Sequence, residues 1–311
     1  MGCMLMDQHL HVFVTVVEKG SFSRAAEALH MTQPAVSQYI KLLEQTYGGK
    51  LLDRSNKYVR LNKAGEIVYY HAKEIVGLYS KMQSLMDDLS NRASGPLSIG
   101  ASYTFGEYIL PHFIARLREQ FPLIKPRIVI GNTKEIAKLV VGHQLDVGII
   151  EGDFKNAHLS IDAFAEDLMY VVAPSHHRFA QQDCEVSISD LEAETWIVRE
   201  LGSGTREATE RIFHTMSIAP NDIMEFGSTQ LIKESVESGL GITFLSQFAI
   251  RREVSMGRLK IIPVKGTPYK RKFSIILRTS FKTKALEVFI NLLKEHHTLS
   301  TIMERKENDM L

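Results

Sequence analysis

The sequence of 311 residues has few cysteines and no long apolar run. Its two cysteines, Cys3 and Cys184, lie far apart, which excludes a disulfide framework and gives no metal-ligand spacing. No apolar segment has the length of a membrane-spanning helix, and the start, MGCMLMDQHLHVF, lacks the basic and long apolar regions of a signal peptide. We therefore expect a cytoplasmic protein that does not contact a membrane.

A large charge of either sign is also lacking, since the formal net charge is +1. The charge is unevenly distributed, because residues 7–65 contain eight Lys or Arg against five Asp or Glu. This excess is compatible with nucleic-acid binding. An architectural protein that coats DNA would be much more basic than the whole chain is.

Residues 10–48 predict short helices joined by a tight turn. Ser23 and Thr32 are suited to N-cap two of these helices, and Pro34 falls in a first turn, where its missing N–H costs nothing. The helix after Thr32 has one apolar face, formed by Val36, Ile40, Leu43 and Tyr47. Residues 51–62 alternate in polarity, as in a small hairpin. The pattern is typical of a helix-turn-helix followed by a wing.

The outer face of the last of these helices carries polar side chains that suit base edges in the major groove. Glutamine can bind adenine through two hydrogen bonds, and cations on a wing can contact phosphates. The predicted DNA-binding residues are Ser23, Thr32, Gln33, Pro34, Ser37, Gln38, Lys41, Arg54, Lys57 and Arg60. On the pattern alone, a structural three-helix module with a solvated face remains an alternative.

From residue 66 to residue 93 the apolar period changes to a heptad. The seam predicts one long helix that pairs with a second copy of itself. Its members are Val68, Ala72, Ile75, Tyr79, Met82, Met86 and Leu89. Beyond it, residues 94–300 alternate strands with helices, which indicates parallel pairing in an α/β domain. Residues 301–311 form a polar tail.

Small hydroxyl and amide side chains follow several of the predicted strands. Glycines and hydroxyls that run into a helix, as in RELGSGTREATERIF, form a nest suited to an anion. The candidate ligand-binding residues are Ser102, Thr104, Asn132, Thr133, Glu151, Ser203, Thr205 and Arg206. Serines and threonines in such positions can also be plain helix caps.

One stretch of more than fifty residues resembles a known DNA-binding domain. The segment FVTVVEKGSFSRAAEALHMTQPAVSQYIKLLEQTYGGKLLDRSNKYVRLNKAGE is similar to that of LysR-type transcriptional regulators. The shared motif includes Gly-Ser-Phe-Ser, Ala-Ala, Thr-Gln-Pro-Ala-Val-Ser and an Arg before the wing. Leu52 stands where the family usually has Phe, and Asn62 where it usually has Thr. Asn is an equally good N-cap for the next helix.

The resemblance implies an α + α/β architecture: a winged helix-turn-helix over residues 7–65, a linker helix over 66–93, and an effector domain over 94–300. That domain resembles a periplasmic binding protein, with lobe I about 94–166 and 268–300 and lobe II about 167–267. Family positions that contact the effector match Ser102, Thr104, Thr133 and Thr205.

The resemblance further implies a transcriptional activator with promoter DNA, RNA polymerase and a small effector as partners. A dimer of dimers is expected, without cofactor, metal or catalytic residues. The effector should be anionic or zwitterionic. Glu151 would repel an anion unless Arg199 or Arg206 neutralises it, or it would bind the amine of a zwitterion. The residues do not decide between these.

Two other functions fit parts of the pattern. An enzyme acting on a small anionic metabolite could carry an accessory DNA-binding domain, but GSGTR lacks the lysine of a P-loop and the glycine spacing of a dinucleotide site. An architectural DNA-binding protein would have no use for a polar cleft. We therefore expect a regulator that is not an enzyme.

Overall fold

The computed structural model describes residues 3–54, 59–87, 93–181, 186–278 and 282–295. They form two compact units, one N-terminal and one C-terminal. The N-terminal unit contains α1 (Cys3–Lys19), α2 (Phe22–Ala28), α3 (Gln33–Thr46), β1 (Leu52–Arg54), β2 (Val59–Leu61) and α4 (Lys63–Asp87). Within the described ranges, none of the helices combines the length and the apolar character needed to span a membrane.

The helix-turn-helix consists of α2 and α3. The predicted N-cap of α2, Ser23, is wrong: the helix begins at Phe22, and the Oγ of Ser21 accepts a hydrogen bond of 3.4 Å from the backbone N of Arg24. Ser21 has the extended backbone that a cap requires, whereas Ser23 is already helical. Thr32 caps α3 as predicted, with its Oγ1 3.4 Å from the backbone N of Ala35.

The core of the N-terminal unit contains the predicted apolar face of α3. Val36, Ile40 and Leu43 are fully buried and pack with α1, whereas Tyr47 lies past the end of α3 and is 47% exposed. The wing is the antiparallel pair of β1 and β2, with Leu52 opposite Leu61. The apolar periodicity of α3 was therefore a good guide up to its last turn.

The long helix α4 begins three residues before the predicted boundary at residue 66. Asn62 caps it, because its Oδ1 accepts from the backbone N of Gly65 at 2.8 Å while its Nδ2 donates to Lys50 O at 2.8 Å. A Cβ at Gly65 would lie 2.0 Å from Leu51 O, so only glycine fits there. The wing and the helix start are thus fastened to each other.

The C-terminal unit is an α/β domain with a short 3-10 helix at Arg178–Gln181. Its strands are β3 (Gly95–Ser102), β4 (Ile124–Gly131), β5 (Val147–Glu151), β6 (Ser160–Pro174), β7 (Thr195–Arg199), β8 (Asp222–Phe226), β9 (Thr243–Ser246), β10 (Leu259–Ile261) and β11 (Tyr269–Leu277). Its helices are α5 (Tyr103–Tyr108), α6 (Leu110–Gln120), α7 (Thr133–Val141), α8 (Ile188–Glu192), α9 (Gly204–Met216), α10 (Thr229–Glu237), α11 (Gln247–Ser255) and α12 (Lys284–Lys294).

Two long strands connect the two lobes of this unit. The main sheet has seven strands in the order β10-β6-β11-β5-β3-β4, with β9 also on β6, and β7 pairs with β8 in a separate sheet. The pairs β3–β4, β3–β5 and β7–β8 are parallel, as predicted. Strands β6 and β11 are antiparallel and pass from one lobe to the other. Lobe I contains β3–β5, α5–α7 and α12, and lobe II contains β7–β10 and α8–α11.

Each lobe has its own apolar core. Phe105, Phe113, Phe273 and Phe289 lie in the core of lobe I. Trp196 lies in the core of lobe II, where it is fully buried and donates from Nε1 to Leu191 O at 2.8 Å. The separation is not complete, because Phe248 of α11 packs against the core of lobe I.

The architecture differs from the expectation in several places. The single helix predicted after β3 is divided into α5 and α6, because Pro111 lacks an N–H and its ring would clash with a preceding carbonyl in a continuous helix. Strand β6 is 15 residues long and begins well before the predicted segment at Leu168. Helices α8 and α11 and strand β10 were not predicted.

Candidate functional site

The predicted DNA-binding residues lie mostly on the outer side of α3. Gln33, Gln38 and Lys41 are exposed, and Gln33 Nε2 donates to Ser37 Oγ at 3.0 Å. This bond holds both side chains on the open face of the helix. The others are Ser23 on α2, Thr32 at the cap, Pro34 in the first turn, Arg54 at the end of β1 and Arg60 on β2. Lys57 lies outside the described residues.

The predicted dimerisation seam on α4 has two parts. Ala72 is only 1% exposed and packs into the core of its own unit, so its assignment to a dimer interface was wrong; Val68 is partly buried against the same core. These two apolar side chains pack against residues of the same chain. The exposed members are Ile75, Tyr79, Met82 and Met86, together with Ile67, Tyr70 and Leu78, which the heptad did not include. Leu89 lies outside the described residues.

The hydroxyls predicted to bind an effector meet where the two lobes join. In lobe I, Ser102 Oγ and Thr133 Oγ1 are 3.1 Å apart, and Thr133 Oγ1 donates to Glu151 O at 3.3 Å. All three residues are buried, and they follow the parallel strands β3, β4 and β5. This is the edge of an open α/β sheet at which ligands bind.

A buried arginine that the sequence did not single out joins the lobes. Arg271 on β11 donates from Nη2 to Thr104 Oγ1 in lobe I at 3.1 Å and from Nη1 to Thr205 Oγ1 in lobe II at 3.0 Å. Its Nη1 lies 2.9 Å from Glu151 Oε2, and its Nε donates to Asp167 Oδ2 at 2.7 Å. Glu151 is therefore neutralised by Arg271, and not by Arg199 or Arg206 as the sequence suggested.

This arginine centre contains two acids for one base. Burial raises the pKa of Asp167, and Arg271 and the hydroxyl of Ser246, whose Oγ lies 2.6 Å from Asp167 Oδ1, only partly offset it. Burial lowers the pKa of Arg271, but Glu151 and Asp167 outweigh this effect and the pKa is raised. The arginine stays charged, and Asp167 binds a proton more readily than an ordinary aspartate does.

A second polar connection between the lobes involves Glu200, the residue after β7. Its Oε1 and Oε2 accept from Arg199 Nη2 and Nε at 2.8 and 2.7 Å, and Oε1 also accepts from Asn132 Nδ2 of lobe I at 3.2 Å. Although burial raises the pKa of Glu200, the hydrogen bonds and charge of Arg199 lower it overall. The carboxylate is therefore ionised at neutral pH.

Two other predicted residues have local roles. Ser203 caps α9, accepting from the backbone N of Thr205 at 3.2 Å. Arg206 donates to Glu210 at 2.7 Å, to Glu225 at 2.9 Å and to the carbonyl of Arg199 at 2.9 Å. Its guanidinium is thus directed to β8 and away from the hydroxyls of lobe I, because two carboxylates in its own lobe bind it.

A separate groove of about 1070 Å³ lies between α5, α10 and α11. None of the eight predicted effector residues lines it. At its wall Lys233 Nζ donates to Glu253 Oε1 at 2.6 Å, and both residues are buried. The groove is therefore distinct from the polar junction that the sequence predicted.

The sequence reasoning missed Asp167 and Arg271 as parts of the junction, and it considered Arg199 only as a possible counter-ion of Glu151. Arg271 occurs among other cations in YKRKF, where nothing marks the one that points inward. A period of two along β11 was the only available signal, since it places Arg271 on the same side as the buried Phe273.

Comparison with known proteins identifies the family. A model of the LysR substrate binding domain matches residues 90–298, and a model of the bacterial regulatory helix-turn-helix protein, lysR family, matches residues 8–66. The chain belongs to the LysR family of transcriptional regulators. It is similar to the HTH-type transcriptional regulator CysL of Bacillus subtilis, with 37% identity over 93% of this chain and 96% of the relative. It is therefore a DNA-binding transcriptional regulator with an effector-binding domain.

Other relatives and solved structures agree with this assignment. The HTH-type transcriptional activator CmpR of Synechocystis is 31% identical, with 94% of this chain and 96% of the relative covered. A full-length OxyR variant from Pseudomonas aeruginosa superimposes with a TM-score of 0.70 at 26% identity, covering 94% and 95% of the two chains. Full-length CbnR complexed with its target DNA has a TM-score of 0.68 at 19% identity, covering 93% and 98%, and shows the shared fold.

Proposed function

We propose that this LysR-family regulator is an activator that responds to a small anionic or zwitterionic metabolite held between its lobes. The observation that carries the proposal is the meeting of Thr104 and Thr205, from opposite lobes, on one buried guanidinium. Ser102 and Thr133 add hydroxyls from two further strand ends. The activator CmpR supports the sign of control, and the CcmR regulatory domain, a structural neighbour of 24% identity, was solved in complex with 2-PG.

The response follows from the way in which the lobes are joined. Strands β6 and β11 cross between the lobes, and some of the other contacts at the junction, such as that of Asn132 with Glu200, are hydrogen bonds that a bound ligand can replace. A ligand that prefers one lobe arrangement shifts the population toward it, in proportion to its unequal affinity for the two. The new arrangement changes how the DNA-binding units are placed on the promoter and presented to RNA polymerase.

Assembly uses the exposed apolar stripe of α4. Tyr79, Met82 and Met86 are 40%, 55% and 60% exposed, which is costly for a helix that stays in water. Pairing two copies along this stripe brings two recognition helices to a two-fold symmetric site. The effector domains then associate into a dimer of dimers. The assembly works in the cytoplasm, where promoter DNA is available.

Met82→Lys tests the stripe, because it places a charge in the middle of the proposed interface. We expect a lower mass than the wild type in light scattering and at least a tenfold weaker binding to a two-half-site promoter. Met256→Lys is the matched control, since Met256 is 45% exposed at the end of α11. An unchanged mass for Met82→Lys would exclude the stripe as the dimer interface.

The effector proposal is tested on the full-length chain by thermal shift with sulfate, inorganic phosphate, short dicarboxylates and amino acids. A compound that binds the junction raises the melting temperature and changes the DNase footprint at the promoter. Turnover of that compound should be undetectable, as for a sensor that is not an enzyme. A compound that stabilises the protein, leaves the footprint unaltered and is chemically converted would favour an enzyme instead.

A further inference from the structure

The carboxylate of Glu200 occupies a position that already has the form of an anion-binding site. Three N–H donors surround it: Nε and Nη2 of Arg199 at 2.7 and 2.8 Å, and Nδ2 of Asn132 at 3.2 Å. The arginine comes from lobe II and the asparagine from lobe I. The parallel pair of guanidinium N–H groups is the geometry that binds carboxylate or phosphate with two hydrogen bonds.

The cationic side of this site is held by contacts that do not involve Glu200. Arg199 is 1% exposed, its Nη1 donates to Thr229 Oγ1 at 3.0 Å, and its guanidinium lies over the ring of Tyr103 at 4.3 Å. Arg199 is the last residue of β7, paired with Phe226 of β8. The guanidinium therefore keeps its place whether or not Glu200 is bound to it.

The side chain of Glu200 is less buried than that of its partner. Its side chain is 24% exposed, and it begins the loop that leads to α9. The next two residues are Leu201, which is 69% exposed, and Gly202, which has a φ of +94° that favours glycine. Rotation about the bonds of the Glu200 side chain can remove its carboxylate without moving β7.

We propose that Arg199 and Asn132 form the oxyanion subsite of the effector site, and that Glu200 fills it until the carboxylate or phosphate group of an effector replaces it. The proposal rests on the function proposed above and assigns its charge recognition to residues other than the threonines. Glu200 acts as a built-in competitor, so only an anion that binds Arg199 better than an attached carboxylate is sensed. Its departure also breaks the hydrogen bond to Asn132 between the lobes.

A purely structural ion pair would behave differently. Glu200 and Arg199 are neighbours in the chain, so their pairing fastens no two distant elements together. The bond from Asn132 spans the lobes, and any oxyanion in the same position can accept it. The arrangement therefore suits exchange of one carboxylate for another acid group.

The test measures binding of inorganic phosphate and of acetate to the full-length protein by calorimetry at constant ionic strength. Glu200→Gln should bind at least one of these probes about tenfold more tightly than the wild type, because the internal competitor has lost its charge. The double variant R199Q/E200Q should show no such gain. Glu225→Gln is the matched control, since it removes a carboxylate from Arg206 elsewhere in lobe II, and it should bind like the wild type.

Glu200→Gln leaves a buried arginine without its counter-ion and can lose stability for that reason. Glu200→Asp is the second variant: it keeps the charge but is too short to reach both Arg199 and Asn132, and we expect about threefold tighter binding. The probe whose affinity increases shows whether the effector carries a phosphate or a carboxylate group. Equal affinities of the wild type, Glu200→Gln and Glu200→Asp, or a gain that persists in R199Q/E200Q, would overturn the proposal.

The footprint separates this inference from the function proposed above. If Glu200→Gln gains affinity and no small anion alters the footprint, the oxyanion subsite stands and the effector response fails. If a metabolite alters the footprint of the wild type while the Glu200 variants gain nothing, the regulator stands and the Glu200 inference fails.

Discussion

The outer face of α3 and the junction between the lobes are both polar, but their side chains are held in opposite ways. On α3, Gln33 and Gln38 are exposed and ready for base edges. At the junction, Thr104, Thr205 and Arg271 are at most 4% exposed and bonded to one another. A polar group in water can be replaced at little cost in stability, whereas a buried one leaves its partner unsatisfied. If these surfaces act as proposed, recognition of DNA is separable from folding and recognition of the effector is not.

The largest effect is expected for Arg271→Gln. Two buried acids, Glu151 and Asp167, lose their shared base, so the free energy of unfolding should fall by about 3–5 kcal/mol at pH 7 in urea denaturation. Asp167→Asn is the control, since it leaves one acid for one base and should cost about 1 kcal/mol.

The deficit of Arg271→Gln should depend on pH. The folded-state pKa of Asp167 is raised by burial, so the penalty of the unpaired acid is full above that value and disappears as the pH falls toward the ordinary value of 3.8. The variant should therefore recover stability relative to the wild type in acid. A loss of less than 1 kcal/mol that is constant with pH would show that the arginine centre is not a buried charge cluster.

Gln33→Ala is expected to have an intermediate effect, and on DNA selectivity alone. Loss of a bidentate contact with one base should remove about 1–3 kcal/mol of discrimination at one position of the promoter, measured by competition binding. The free energy of unfolding should change by less than about 0.5 kcal/mol, because the side chain is exposed. Gln45→Ala, at the other end of α3, is the control. Unchanged discrimination would remove Gln33 from the set of base contacts.

Thr205→Val is expected to reduce stability much less than Arg271→Gln does. Arg271 Nη1 loses one acceptor and keeps Glu151 at 2.9 Å, so the cost should be about 1 kcal/mol. The effector response in the footprint should nevertheless weaken strongly while DNA affinity is kept, and Thr205→Ser should restore it. A normal response in Thr205→Val would show that Thr205 does not contact the effector and only belongs to the first turn of α9.

The contrast between the exposed α3 face and the buried junction also explains which features could be predicted from the sequence. The α3 face is local: Thr32, Pro34, Val36 and Ile40 follow one another in a motif, so the helix and its open side were predictable. The hydroxyls after each strand were predictable as well, because parallel strands end at a common edge. Their partners were not, since Arg271 is 167 residues from Thr104 and no local pattern joins them.

The apolar heptad of α4 shows a limit of periodicity. Ala72 and Met82 satisfy the same pattern, but Ala72 is buried against its own unit and Met82 is 55% exposed. A heptad repeat identifies the apolar face of a helix. It does not show whether the same chain or a second copy packs against that face. The wing and α1 contact only the first turns of α4. The apolar residues of those turns therefore pack within the unit, and the later ones stay exposed.

The pairing of β6 with β11 limits how the length of the chain can vary. Arg271 lies directly opposite Asp167 in this ladder, and Tyr269 opposite Met169. Side chains alternate between the two faces of a strand, so deleting one residue near Asp167 would turn its carboxylate to the other face and move apolar neighbours inward or outward with it. Near Asp167 these strands can therefore change by substitution but not by deletion, whereas the register shift between Phe273 and Ser274 shows that an extra residue is accommodated farther along β6.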